Sequence, residues 1–202
     1  AAYSTRQLRR AQTDCMVIRR ASDSTTQTIG FDANGNIDEA AINTFCSGTT
    51  CTVYQWIDQS GNDNTATAAS TGVEPTIYTG GALVKENGRV AINLDGSDDA
   101  LLTGTFSSIA QPVTWYALGA QDSASTGIQG FFRTGTTPHS YSWGEVNKWV
   151  KLYAGTGLGS ASGFEVSRGP LYLSTALANG TSSSIHLNGT QAATGNAGTN
   201  PV

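Results

Sequence analysis

Five Asn-Gly or Asp-Gly pairs punctuate this chain, at Asn34-Gly35, Asn87-Gly88, Asp95-Gly96, Asn179-Gly180 and Asn188-Gly189. Such pairs favour tight hairpins, whose central residues need positive φ angles that glycine reaches without steric cost. The segments between them are short and rich in β-branched and aromatic residues. That combination predicts antiparallel strands joined by turns. Only 13% of the 202 residues are charged, too few for the salt-bridged surface of a helical bundle. The length suits one domain spanning residues 1–202, since all-β sandwiches and barrels run to about 200–250 residues.

The strands expected are Asp14–Arg20, Thr25–Phe31, Val53–Ile57, Thr76–Tyr78, Arg89–Leu94, Val113–Leu118, Ile128–Phe132, Trp149–Tyr153, Leu171–Leu177 and Ser184–Leu187. Residues 1–12 read as a short helix, favoured by Ala1, Ala2, Leu8 and Ala11. A second helix is predicted where Ile37, Ala41 and Phe45 recur every four residues behind Asp38 and Glu39, ending near Cys46. After the hairpin of Leu171–Leu177 and Ser184–Leu187, no further apolar strand precedes Asn200-Pro201-Val202. The expectation is an open edge, in a segment of a longer protein that lacks its last strand or strands or takes one from a neighbour. The predicted class is all-β, a two-sheet antiparallel sandwich with short helices near the N-terminus.

A formal net charge of -4 argues against a phosphate backbone as partner, and no apolar run approaches the roughly 18 residues of a membrane span. The basic cluster Arg6, Arg9, Arg10, Arg19 and Arg20 reads as a solvated helix face plus a strand end, with an anionic-ligand patch as the alternative. A bridge between Cys46 and Cys51 would close a small, flexible loop and imply an oxidising destination. Cys15 lies in an apolar run and reads as a buried, inert thiol. Cys15, His139 and His186 have no recognisable metal-ligand spacing. The Asn-Gly-Thr sequons at Asn179 and Asn188 read as turns before glycosylation sites.

Asp58-Gln59-Ser60-Gly61-Asn62 reads first as a turn, its short polar side chains bonding backbone amides and Gly61 allowing a positive φ. The functional alternative is a ligand or cation contact through Asp58, Asn62 and Asp63, oxygen donors suited to calcium. Asp95, Asp98 and Asp99 present the same choice, with the turn again first. Sugar recognition pairs an aromatic platform with polar groups. The candidates are Trp143, Tyr141, His139 and Trp149, in or beside the Gly/Thr/Pro-rich loop from Gly135 to Ser142. Packing under that loop is the structural alternative, while Trp56 and Trp115 read as core. Glu145 and Glu165, the only glutamates of the second half, read as surface or turn positions rather than as a catalytic pair.

Five stretches carry a resemblance: Ala2-Tyr3-Ser4-Thr5-Arg6-Gln7-Leu8, Arg20-Ala21-Ser22-Asp23, Phe45-Cys46-Ser47-Gly48-Thr49-Thr50-Cys51, Asp58-Gln59-Ser60-Gly61-Asn62 and Val90-Ala91-Ile92-Asn93-Leu94-Asp95-Gly96. Together they resemble the concanavalin-A-like, laminin-G-like sandwich, as found in bacteriophage tail and fibre modules and in the catalytic domain of family-54 arabinofuranosidases. The resemblance is specific over residues 1–100 and weak from there to 187. It implies a two-sheet jelly-roll fold and a small-loop disulfide between Cys46 and Cys51. Arabinofuranosidases of this kind carry a nucleophilic glutamate in a Met-Glu-Asn-Asn context and a catalytic aspartate in a Gly-Gly-Asp-Asn context. The strand that corresponds, Trp149–Ala154, holds no carboxylate, and the adjacent-cysteine pair of those enzymes is absent from the sequence.

The sequence therefore predicts a non-catalytic structural or adhesion module of a phage fibre, tail or capsid decoration, extracellular or on the virion surface. It would bind surface glycans or other surface subunits and form a homo-oligomer. Trp143, Tyr141, His139, Asp58 and Asn62 would be its ligand contacts, and calcium its candidate cofactor, with Asp58 and Asp63 as ligands. The alternative is an arabinofuranosidase-like glycoside hydrolase.

Overall fold

The computed structural model describes residues 1–105, 107–121, 128–133, 139–144, 149–159 and 169–201. The chain falls into two compact units, Ala1–Phe106 and Ser107–Val202.

The first unit is built on β1 (Asp14–Arg20), which pairs antiparallel with β2 (Thr26–Gly30) and β3 (Cys51–Trp56). Beyond β3, the sheet continues through β5 (Thr76–Thr79) and β6 (Ala82–Leu83), with β4 (Ala66–Thr67) pairing beside them on β3, while β7 (Lys85–Glu86) and β8 (Arg89–Val90) form a separate ribbon. A register shift between Asp14 and Met16 puts the consecutive residues Cys15 and Met16 both into the core, where strict alternation would bury only one. They join Ile18, Ile29, Ile42, Val53 and Ile77, all fully buried. Each large apolar side chain so buried contributes about 1.5–3 kcal/mol relative to exposure.

Helix α1 (Glu39–Phe45) forms where the four-residue period predicted it. Asp38 caps its start, the carboxylate accepting the Ala41 N–H at 2.9 Å. Cys46 ends it, and the Cys46–Cys51 disulfide ties that end to the first residue of β3. The Arg20 guanidinium lies over the Phe45 ring, 4.6 Å from its centroid, and holds the helix end against β1.

The second unit contains two four-stranded antiparallel sheets. One has β10 (Ile128–Arg133), β11 (His139–Gly144), β12 (Trp149–Ala154) and β13 (Gly157–Gly159) in that order. The other includes β9 (Val113–Gly119), β14 (Tyr172–Ala178), β15 (Ser183–Leu187) and β16 (Thr190–Gly195), ordered β16-β15-β14-β9. Both contribute to one core: Val150, Leu152 and Ala154 from β12 pack with Ala176, Ala178, Ile185, Leu187 and Ala193. Trp115 stacks on Phe132 across it, centroids 4.5 Å apart.

Several expectations are corrected. Residues 1–12 form no helix, because their backbone groups bond outward: Gln7 N–H to Gly35, and Ile37 N–H to Thr5. The strand expected at Arg89–Leu94 shrinks to β8 plus a single bridge from Asn93 to Thr76. A further strand does follow the last hairpin. Strand β16 buries Ala192 and Ala193, side chains too small to stand out as an apolar run. Beyond it, Ala197 accepts the Ala154 and Thr156 N–H groups at 2.8 and 2.9 Å. Gly198 passes so close that a Cβ there would collide with the Ala154 carbonyl oxygen, and its φ is +95°.

Candidate functional site

Immediately after β3, Asp58 and Gln59 turn inward and take hold of the N-terminal segment. Asp58 is 4% exposed. Its Oδ1 accepts the N–H groups of Ala2 at 2.7 Å and Ser60 at 2.9 Å, and its Oδ2 the Ser60 hydroxyl at 2.8 Å and the Asn64 N–H at 3.0 Å. Burial works to raise its pKa, but the hydrogen bonds from Ser60, Ala2 and Asn64 outweigh it and hold the carboxyl well below the usual range. Gln59, fully buried, accepts the Leu8 N–H at 2.8 Å and donates to the carbonyls of Ser4 at 2.8 Å and Arg6 at 3.2 Å. The Tyr3 hydroxyl donates to the Asn64 carbonyl. Burial, followed by the Asp58 charge, pushes that phenol up to about 12. Gly61 takes the predicted positive φ, at +86°.

The calcium candidates fare differently from one another. Asp58 has two donors on each oxygen, so its carboxylate serves the turn. Asn62 is exposed and donates to the Ser60 hydroxyl oxygen at 3.1 Å. Asp63, also exposed, sits at φ 56°. Asp95, Asp98 and Asp99 do gather, with one oxygen each within 4.8 Å of the others. Asp95 and Asp99 are committed to local backbone, accepting the Ser97 and Asp95 N–H groups at 2.7 and 2.8 Å. Burial raises the Asp99 pKa; the Asp95 N–H bond opposes this, and the Asp95 and Asp98 charges add to it.

The basic cluster is divided. Arg19 lies beside the buried Glu74, Nε to Oε1 at 2.8 Å, and over the Tyr54 ring. Arg20 pairs with Asp23, while Arg6, Arg9 and Arg10 are exposed on the extended N-terminal segment rather than on a helix. Cys15 is a free, buried thiol whose Sγ donates to the Ser4 carbonyl at 3.3 Å. Burial pushes its pKa up to about 12.

His139, Tyr141 and Trp143 belong to strand β11 rather than to a loop. They occupy alternate positions, opposite Ala154, Leu152 and Val150 of β12. Trp149 begins β12. That strand buries Val150, Leu152 and Ala154 completely and carries no carboxylate, as the sequence comparison implied. Glu145 and Glu165 lie outside the described residues, as does Asp122; these three are the only acids of the second unit.

Two residues escaped the sequence reading. Gln59 was visible only as a turn residue, because its partners lie 51 to 55 positions away. Gln111 does the same for the other end of the chain: Nε2 donates to the carbonyls of Gly198 at 3.0 Å and Asn200 at 2.9 Å, and Oε1 accepts the Gly180 N–H at 2.8 Å. Neither glutamine stands in a motif that announces a clamp.

The model for the catalytic domain of alpha-L-arabinofuranosidase B matches residues 1–100. Alpha-L-arabinofuranosidase B of Aspergillus kawachii is 34% identical over 123 residues, covering 59% of this chain and 21% of that protein. Its counterpart in Aspergillus niger is 46% identical over 56 residues, 27% of this chain and 11% of that protein. Among solved structures, an arabinofuranosidase complexed with arabinofuranosyl-alpha-1,2-xylobiose superposes with a TM-score of 0.63 at 20% identity, covering 98% of this chain and 51% of that one. A GH54 α-L-arabinofuranosidase soaked with a cyclic sulfate inhibitor gives 0.58 at 22% identity, covering 96% and 50%. The chain thus shares the fold of these enzymes and spans about a fifth of the first curated relative's length. These similarities overturn the reading as a phage fibre, tail or capsid module on a virion surface: the likeness found is to glycoside hydrolases.

Proposed function

We propose that this chain is part of an arabinofuranosidase-like glycoside hydrolase, acting on α-L-arabinofuranosyl groups. The observation that carries the proposal is the match of residues 1–100 to the catalytic-domain model. That span contains both the small disulfide loop and the Asp58–Gln59 clamp, the two devices that fix the first unit. The jelly-roll connectivity expected from the sequence is kept as part of this reading. The setting proposed is extracellular, where a disulfide such as Cys46–Cys51 forms and persists.

Glycoside hydrolysis calls for two carboxyls, about 5–5.5 Å apart in retaining enzymes and about 6.5–9.5 Å in inverting ones. Asp58 and Glu74, the buried acids among the described residues, are both engaged internally, Glu74 by Arg19 and the Thr52 hydroxyl. The second unit carries three further acids, Asp122, Glu145 and Glu165, and these are the candidates proposed for the chemistry. The test is hydrolysis of 4-nitrophenyl α-L-arabinofuranoside by the chain and by Asp122→Asn, Glu145→Gln and Glu165→Gln. A folded amide variant that loses about 100-fold or more in rate identifies a catalytic acid. Three folded variants with unchanged turnover would remove the assignment.

A further inference from the structure

The outward face of the β9-β14-β15-β16 sheet is not what a purely scaffolding sheet needs. Strand β9 alternates cleanly, with Trp115 and Ala117 against the core and Thr114, Tyr116 and Leu118 exposed. Tyr116 is 74% exposed and Leu118 66%, and beside them on β14 Leu173 is 48% exposed. Thr175 stands directly opposite Tyr116 on one side and His186 on the other. Adjacent strands lie about 4.8 Å apart, so tyrosine, threonine and histidine form a row about 10 Å long. A second row sets Leu118 opposite Leu173, and a third sets Leu177 between Thr114 and Ser184. None of these side chains is charged.

Resting on the hydrolase reading, we infer that this face is a binding surface for a neutral polysaccharide chain. The exposed Tyr116 ring supplies the apolar platform on which a sugar face stacks. The Thr175 hydroxyl and the His186 imidazole offer hydrogen-bond groups along the same row. An uncharged face matches a neutral ligand: it has no cation for an acidic polymer and no carboxylate for a basic one. It matches a protein partner poorly. Tyr116, Leu118 and Leu173 together expose on the order of 300 Å², against about 800 Å² per partner in a stable protein interface.

The test is affinity electrophoresis of the full chain in native gels containing neutral arabinoxylan, with polygalacturonate gels alongside. Retardation by arabinoxylan and not by polygalacturonate is expected. Tyr116→Ala should weaken it about tenfold, and His186→Ala less. Turnover of 4-nitrophenyl α-L-arabinofuranoside, too small to span the row, should be unchanged by Tyr116→Ala. That readout separates failure of this inference from failure of the hydrolase reading. Retardation equal in wild type and Tyr116→Ala, or no retardation at all, would overturn the inference. So would sedimentation showing a dimer that Tyr116→Ala dissolves, since the face would then belong to a second copy.

Discussion

The Asp58 carboxylate accepts the backbone N–H of Ala2 at 2.7 Å, across 56 positions of sequence. It anchors the N-terminal segment to the end of β3 and is itself kept ionised by the donors around it. Asp58→Asn replaces one acceptor oxygen with an amide NH2 that faces other donors. It should cost about 2–3 kcal/mol at neutral pH in urea unfolding. The pH dependence follows from the depressed folded-state value. Unfolded, the carboxyl takes a proton near pH 4, whereas folded it resists until far lower. Its stabilisation is therefore full above about pH 4 and lost as pH falls towards the folded-state value. The Asp58→Asn variant should show a shallower loss between those limits, and equal slopes would exclude this role.

Gln59→Ala removes one acceptor and two donated bonds from the segment holding Arg6, Arg9 and Arg10. Local opening should become easier by about 1–2 kcal/mol. Limited trypsin digestion should then cut after those arginines about ten times faster, while cleavage within the second unit keeps its rate. Uniform acceleration throughout the chain would indicate global destabilisation instead.

The Cys46–Cys51 bridge closes a short loop with a sequence separation of 5. Chain-entropy estimates give about 2 kcal/mol for such a closure. Replacing both cysteines with serine should lower Tm by about 4–8 °C, and reductant should lower the wild-type Tm but not that of the double variant. Cys15 should stay unlabelled by a thiol reagent at pH 8 in the native protein and react once it is unfolded. Prompt native-state labelling would contradict its burial.

Ser174 is fully buried in the second core, and its hydroxyl has no hydrogen-bond partner among the described residues. Ser174→Ala should raise stability by about 1 kcal/mol, because an unmade buried hydrogen bond is removed without leaving a large cavity. A drop in Tm would mean that the hydroxyl is satisfied in solution.

Local chemistry made much of the fold legible. Strand β1, α1 and the Gly61 turn follow from patterns confined to a few residues, and the structure has them where those patterns put them, while the Cys46–Cys51 pairing, implied by the family resemblance, is present. What stayed hidden depends on distant partners or on small side chains. The helix-forming residues of 1–12 lose to the Gly35 carbonyl and to the Asp58 and Gln59 side chains, which take their N–H groups. Strand β16 hides because Ala192 and Ala193 fill a core that needs little volume. The exposed row through Tyr116 was unreadable for a related reason: the alternation of β9 announces a strand but does not say which neighbours extend its outer face. Function was the least legible, since the acids that would reveal a hydrolase are missing from Trp149–Ala154.

The most direct measurement is turnover of a panel of 4-nitrophenyl glycosides by the folded chain, with cooperative unfolding confirmed on the same sample. Release of 4-nitrophenol from the α-L-arabinofuranoside, well above that from the α-L-arabinopyranoside and the β-D-xylopyranoside, is the predicted result. A cooperatively folded protein that releases 4-nitrophenol from none of them would contradict the hydrolase account.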